Sequence, residues 1–151
     1  MRTYLVIMDE TEEAEIALRF AARRAAKTNG GLEILVLIPR QEFVAWGNVQ
    51  ATIESEMRGH AEDIVRRAIE TLAQETQIVP LITVKQGDAV VAIREVLAEN
   101  PEIGALVLGA AKSGNPGPLV SHFAGADSGT LPCPVMIVPG SLTAEALDRM
   151  S

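Results

Sequence analysis

The sequence has one cysteine, two histidines and only 3% aromatic residues. A lone thiol closes no disulfide within the chain and suits a reducing cytoplasm. Two isolated histidines and one cysteine give no paired ligand spacing, so no metal site is expected. No apolar run approaches the roughly 20 residues that cross a bilayer. The first apolar run stops at Asp9 with no small-residue cleavage site behind it, so it reads as a strand rather than a signal peptide. A basic excess is also missing. Thirteen Lys and Arg against 20 Asp and Glu leave a net charge of −7, which argues against nucleic acid or an anionic membrane as partner. That balance still permits one anion held by backbone amides. Repeats, linkers and low-complexity tracts are missing too.

What is present is aliphatic. The 151 residues are 48% hydrophobic, enough for one domain with a Val, Ile, Leu and Ala core. Residues 3–8 form an apolar first strand. A helix follows with Ala14, Ala17, Leu18, Ala21 and Ala25 at helical spacing, acids at its start and bases near its end, as a helix dipole favours. Asn29-Gly30-Gly31 ends it. Residues 32–38 form a second strand closed by Pro39, and residues 49–76 a long helix with Ala61, Ile64, Ala68 and Leu72 on its apolar stripe. Pro80 interrupts a third strand at 78–85. Gly87-Asp88 opens a third helix that stops at Asn100-Pro101. A fourth strand at 105–108, a helix near 118–128 and a last strand at 135–138 complete the order. Strand and helix alternate throughout, which predicts an α/β, doubly wound parallel sheet whose ligand crevice lies at the carboxyl ends of strands. Residues 1–140 read as one domain and 141–151 as a polar C-terminal tail.

The organising stretch is ALVLGAAKSGNPGPLVSHFAGADSGTLPCPVMIV, residues 105–138. A strand stops at Gly109, and a Gly, Ser and Pro loop leads into a helix and the closing strand. Such a loop cradles a phosphate in some α/β proteins. It also serves as ordinary turn chemistry.

With these landmarks in place, the sequence resembles the universal stress protein family. A strand running into Asp9, a strand running into Gly109 and its glycine loop, and the ending Pro132-Cys133-Pro134-Val135-Met136-Ile137-Val138 carry the likeness, over residues 2–139. The resemblance implies an adenine-nucleotide alpha-hydrolase-like fold: a five-stranded parallel sheet in the order 3-2-1-4-5. In many members ATP binds between strands one and four, and the last strand pairs two copies. The sequence departs from the ATP-binding pattern Gly-x-x-Gly followed, after a spacer, by Gly-Ser or Gly-Thr. Gly109 fits the first glycine and Lys112 stands at the second. The closing pair falls on Ser121-His122 or His122-Phe123, neither with a glycine.

The candidate cofactor-binding set is Asp9, Leu37, Gly109, Lys112, Ser113, Gly114, Gly117 and Ser121. The resemblance assigns Asp9 to the adenosine and Leu37 to the adenine pocket. Read from the residues alone, Asp9 is equally an N-cap for helix one, with Glu12 three residues on, and Leu37 is ordinary core. Glu10, Glu12, Glu13 and Glu15 repel phosphate from that helix, so any phosphate belongs at the strand-four loop. There Gly114 and Gly117 permit close backbone approach, Pro118 suits a first helical position, and Lys112, Ser113 and Ser121 supply donors. Phe43 and Trp46 either flap over the crevice or cover the long helix. Cys133 reads as a small buried residue, His60 as a surface residue, and His122 as a solvent-facing or capping residue in preference to a phosphate contact.

No catalytic residues are assigned. The expected protein is a non-enzymatic cytoplasmic stress or regulatory protein. It is a homodimer through the 135–138 edge strand with a degenerate adenine-nucleotide (ATP) site, any nucleotide being held weakly. The alternative is a ligand-free protein-interaction module. An adenylating ATP-pyrophosphatase-type enzyme fits less well, because the required Ser-Gly-Gly-x-Asp-Ser loop is replaced by Asp9-Glu10-Thr11-Glu12. No Gly-x-Gly-x-x-Gly follows strand one, which disfavours a dinucleotide oxidoreductase.

Overall fold

The protein is described by a computed structural model covering residues 2–38 and 48–151. In chain order the elements are β1 (Thr3–Met8), α1 (Glu12–Lys27), β2 (Gly31–Ile38), α2 (Asn48–Glu75), β3 (Leu81–Gln86), α3 (Ala89–Glu99), β4 (Ile103–Ala110), α4 (Pro118–Phe123), a 3-10 turn (Ser128–Thr130), β5 (Val135–Pro139) and α5 (Ala144–Met150). The sheet order is β3-β2-β1-β4-β5, with each neighbouring pair parallel.

Strand β1 lies at the centre and all six of its residues are buried. Its side chains alternate between two cores, as the two-residue strand period requires. Tyr4, Val6 and Met8 join α1 and α2 on one face, while Leu5 and Ile7 join α3 and α4 on the other. The first core is lined by Ala14, Ala17, Ala21, Ala22 and Ala25 of α1. These short side chains let the helix sit close to the sheet. Phe123 of α4 is fully buried in the second core.

Four expectations shift in detail. Strand β3 begins at Leu81, after Pro80, because proline has no N–H to give the ladder. Strand β4 runs on through Gly109 and Ala110, which pair with Val138 and Pro139, so Gly109 is a strand residue. Helix α4 stops at Phe123, capped by Ala124 with Gly125 behind it, five residues short of Ser128. Residues 141–151 are not a free polar tail. Thr143 caps α5, Ala146 and Leu147 are buried, and Arg23 of α1 pairs with Asp148.

Candidate functional site

Because β1 and β4 are neighbours, their carboxyl ends open side by side. A crevice of about 140 Å³ lies between them, lined by Asp9, Thr11, Glu13, Gly109, Gly117 and Leu119 among others. The Asp9 carboxylate is turned toward the backbone. Its Oδ1 accepts from the Thr11 N–H at 2.8 Å and from the Thr11 hydroxyl at 2.5 Å. Thr11 Oγ1 in turn accepts from the Ala14 N–H at 3.2 Å. Thr11, not Asp9, is therefore the N-cap of α1, and Asp9 orients that cap. The other carboxylate oxygen, Oδ2, has no hydrogen bond among the described residues.

Gly109 is demanded by packing. A Cβ there would collide with the Glu13 carbonyl oxygen, because the first turn of α1 crosses directly over the end of β4. The loop after β4 closes on itself. The Ala111 N–H donates to the Pro116 carbonyl at 3.1 Å, and the Gly117 N–H to Asn115 Oδ1 at 2.9 Å. Gly114 (φ +72°) and Gly117 (φ +121°) hold positive backbone angles that side chains resist. With Pro118 first in α4 and no capping side chain, the N–H groups of Leu119 and Val120 are the ones left at the helix start.

The sheet, its order and the flanking helices are those of a known architecture. A family model, the Universal stress protein family, matches residues 1–139. The chain belongs to the universal stress protein family. It is similar in fold to the universal stress protein UspA from Lactobacillus plantarum, at TM-score 0.72 and 18% identity over 91% of this chain and 97% of that one. A universal stress protein crystallised in complex with cAMP is similar at TM-score 0.62 and 19% identity, covering 93% of this chain and 98% of that one. An Arabidopsis thaliana family member crystallised with AMP bound is similar at TM-score 0.61 and 14% identity, over 96% of this chain and 94% of that one. No curated protein matches the chain in sequence.

Within this universal stress protein fold, Asp9, Gly109 and Gly117 meet at the crevice, and the other candidates lie around it or away from it. Lys112 reaches out to Glu12, Nζ to Oε2 at 3.9 Å, with both side chains largely exposed. Ser113 and Gly114 sit on the exposed rim of the loop, and Ser121 is exposed on α4. Leu37 is half-buried against the α3 and α4 core. Phe43 and Trp46 lie outside the described residues.

Sequence reasoning passed over Thr11 and Glu13 as wall residues. A threonine ahead of Glu12-Glu13-Ala14 was the available signal, since threonine is a preferred N-cap. It also missed a second cavity of about 360 Å³ between α1 and α2. Asp9 and Thr11 form the shared wall, and Arg19, Arg67, Thr71 and Gln74 stand opposite. Arg19 is braced by Glu15 and Glu75, each at 3.3 Å. His60 on α2 reaches Glu10 at 2.8 Å across the same mouth. The Arg19–Glu75 and His60–Glu10 contacts join residues far apart in sequence and leave no periodic trace.

His122 is not a free surface residue. Its Nε2 lies 2.6 Å from Asp127 Oδ2, and Arg94 of α3 donates to the same carboxylate through Nε at 3.0 Å. Arg94 first and His122 second hold the Asp127 carboxyl below its ordinary pKa. Burial pushes the Cys133 thiol up, against a smaller opposing effect of the Leu106 backbone, so the thiol is not activated as a nucleophile. Among the described residues, no group of three or more His, Cys, Asp or Glu is placed to hold a metal. No helix among them is long and apolar enough to cross a membrane.

Proposed function

We propose that this chain is a non-enzymatic, cytoplasmic stress-response regulator. It works as a homodimer and holds adenine nucleotide weakly at a degenerate site between β1 and β4. The crevice carries this reading. Its place beside Asp9 and the β4 loop suits a nucleotide, and relatives crystallised with cAMP and AMP support that ligand class. Its volume of about 140 Å³ is below the roughly 300 Å³ at which small-molecule pockets begin. A nucleotide must therefore lie largely in solvent. Few donors await its phosphates, because the Gly117 N–H is already used by Asn115. The acidic first turn of α1, Glu12, Glu13 and Glu15, repels them.

The non-enzymatic reading rests on the same place. One oxygen of the Asp9 carboxylate is occupied with Thr11, and no hydroxyl or thiol in the crevice pairs with a histidine. The dimer reading rests on β5, which is hydrogen-bonded to β4 on one side and ends the sheet on the other. Ile137 is 42% exposed there, and an open apolar edge invites a second strand. Pairing β5 with its copy across a two-fold axis satisfies that edge. The ligand-free module is the second reading, favoured by the way Lys112 is already drawn to Glu12.

The test is direct. Protein purified without added nucleotide is denatured, and the supernatant is chromatographed for adenine nucleotides. The proposal expects substoichiometric release. A full equivalent of tightly retained nucleotide contradicts the degenerate site. A complete failure to release or bind any adenine nucleotide leaves the ligand-free module.

A further inference from the structure

Among the described residues, the edge of the sheet opposite β5 carries an uncovered surface of its own. Helix α2 packs over β2 with Ala61, Ile64, Ala68 and Leu72, all buried. It stops short of covering β3. A groove of about 500 Å³ is left between α2 and the edge strand, floored by Ile38, Val65, Ile69 and Val84. Ile69 and Val84 are 49% and 47% exposed, unusual for large aliphatic residues at adjacent positions. A second apolar groove, sharing Ile69, continues it toward Val79 and Pro80.

The charges beside this groove carry a pattern. Arg58, Glu62, Arg66 and Glu70 line it at successive four-residue steps along α2. Their signs alternate, and they are symmetric about the level of Ile64. When a second α2 runs antiparallel about a two-fold axis at that level, Arg58 stands opposite Glu70 of the copy and Glu62 opposite Arg66. Each pair then recurs by symmetry, giving four attractive contacts and no like-charge pair. In the same register Ile69 stands level with Gly59 of the copy, where a Cβ would meet nothing within 4 Å, so the copy has room for it. Val65 falls beside the axis, level with Asp63 of the copy. An arbitrary partner would have no reason to match this sign order, whereas a second copy matches it by construction.

We propose that the α2–β3 groove is a self-association surface, filled by α2 of a second copy of this chain in that antiparallel register. It is separate from the β5 edge and does not depend on the nucleotide reading. The aliphatic floor supplies the attraction, and the exposed charges set register and orientation. Arg66 is turned to Asp63 within its own helix at 2.8 Å, with both side chains more than half exposed. Such a pair exchanges for an intermolecular one at little cost.

The test is sedimentation equilibrium in a Val135→Lys background, which blocks β5 pairing, at concentrations up to about 0.1 mM, where weak specific pairs are populated. The expected result is a reversible dimer. Adding Ile69→Glu, at a half-exposed position that the fold tolerates, should return it to a monomer with unchanged circular dichroism. Adding Glu62→Arg sets arginine against Arg66 twice and should weaken the dimer at least tenfold. Restoring the opposite-charge pairing across the axis with Glu62→Arg and Arg66→Glu together should recover most of that loss. A Val135→Lys protein that stays monomeric throughout overturns the proposal. So does a dimer whose mass ignores Ile69→Glu. If Glu62→Arg has no effect, or the double exchange fails to rescue it, the antiparallel register is wrong.

Discussion

The β1–α1 turn and the β4–α4 loop face each other across the crevice, and they are built on opposite terms. The β1–α1 turn is closed. Asp9 holds Thr11, Thr11 caps α1, and the Glu13 backbone rests on Gly109. The β4–α4 loop is open. Gly114 and Gly117 adopt their backbone angles in free space, with nothing within 4 Å of a Cβ added at either. One side is fixed by contact with another element, and the other only by hydrogen bonds within itself and by glycine conformation. The closed side therefore sets the fold, while the open side is free to keep, lose or remodel a ligand contact.

Substitution should separate the two sides. The largest effect is expected at Gly109. A valine there must push α1 off the end of β4 and should cost about 3 kcal/mol, read as a lower urea midpoint with an unchanged slope. Gly117→Ala has room for its methyl but not the backbone angle, and should cost about 2 kcal/mol. If Gly117→Ala proves costlier than Gly109→Val, the division between contact and conformation is wrong. Thr11→Ala removes one cap and should cost about 1 kcal/mol, partly recovered in Thr11→Ser. Lys112→Ala should change stability by less than about 0.5 kcal/mol, since its pair with Glu12 is long and exposed.

The smallest effect concerns acid. Asp127 binds Arg94 and His122, and its folded pKa is depressed. Its contribution is therefore present above the unfolded carboxylate range and is lost as pH falls through the lowered folded value. Between pH about 4 and the acid limit, wild type should lose stability more steeply than Asp127→Asn. Parallel acid limbs for the two proteins would show that this cluster does not tie α4 to α3.

The same division explains what the sequence reveals. All five strands and the four longer connections are legible from periodic apolar runs, because β1 through β5 are made of local patterns. The misplacements arise where a local signal is short or ambiguous. Ala144, Ala146 and Leu147 give too few turns to announce α5, whose place is fixed by Arg23 of α1 reaching Asp148. Gly109 is legible as a break, but its reason is the Glu13 carbonyl, which approaches from far away in the sequence. Gly114 and Gly117 are legible as turn residues and do hold positive angles. Lys112 fits no glycine position, and its side chain reaches toward α1 instead of into the crevice.

The central claim is that the open β4–α4 loop is what remains of a nucleotide site. Calorimetric titration of ATP and AMP into wild type, Lys112→Gly and Gly117→Val tests it most directly. The account predicts weak wild-type binding, with Kd on the order of 0.1 mM or poorer, stronger binding in Lys112→Gly, and none in Gly117→Val. Tight wild-type binding that survives Gly117→Val would place the phosphates elsewhere and contradict the account.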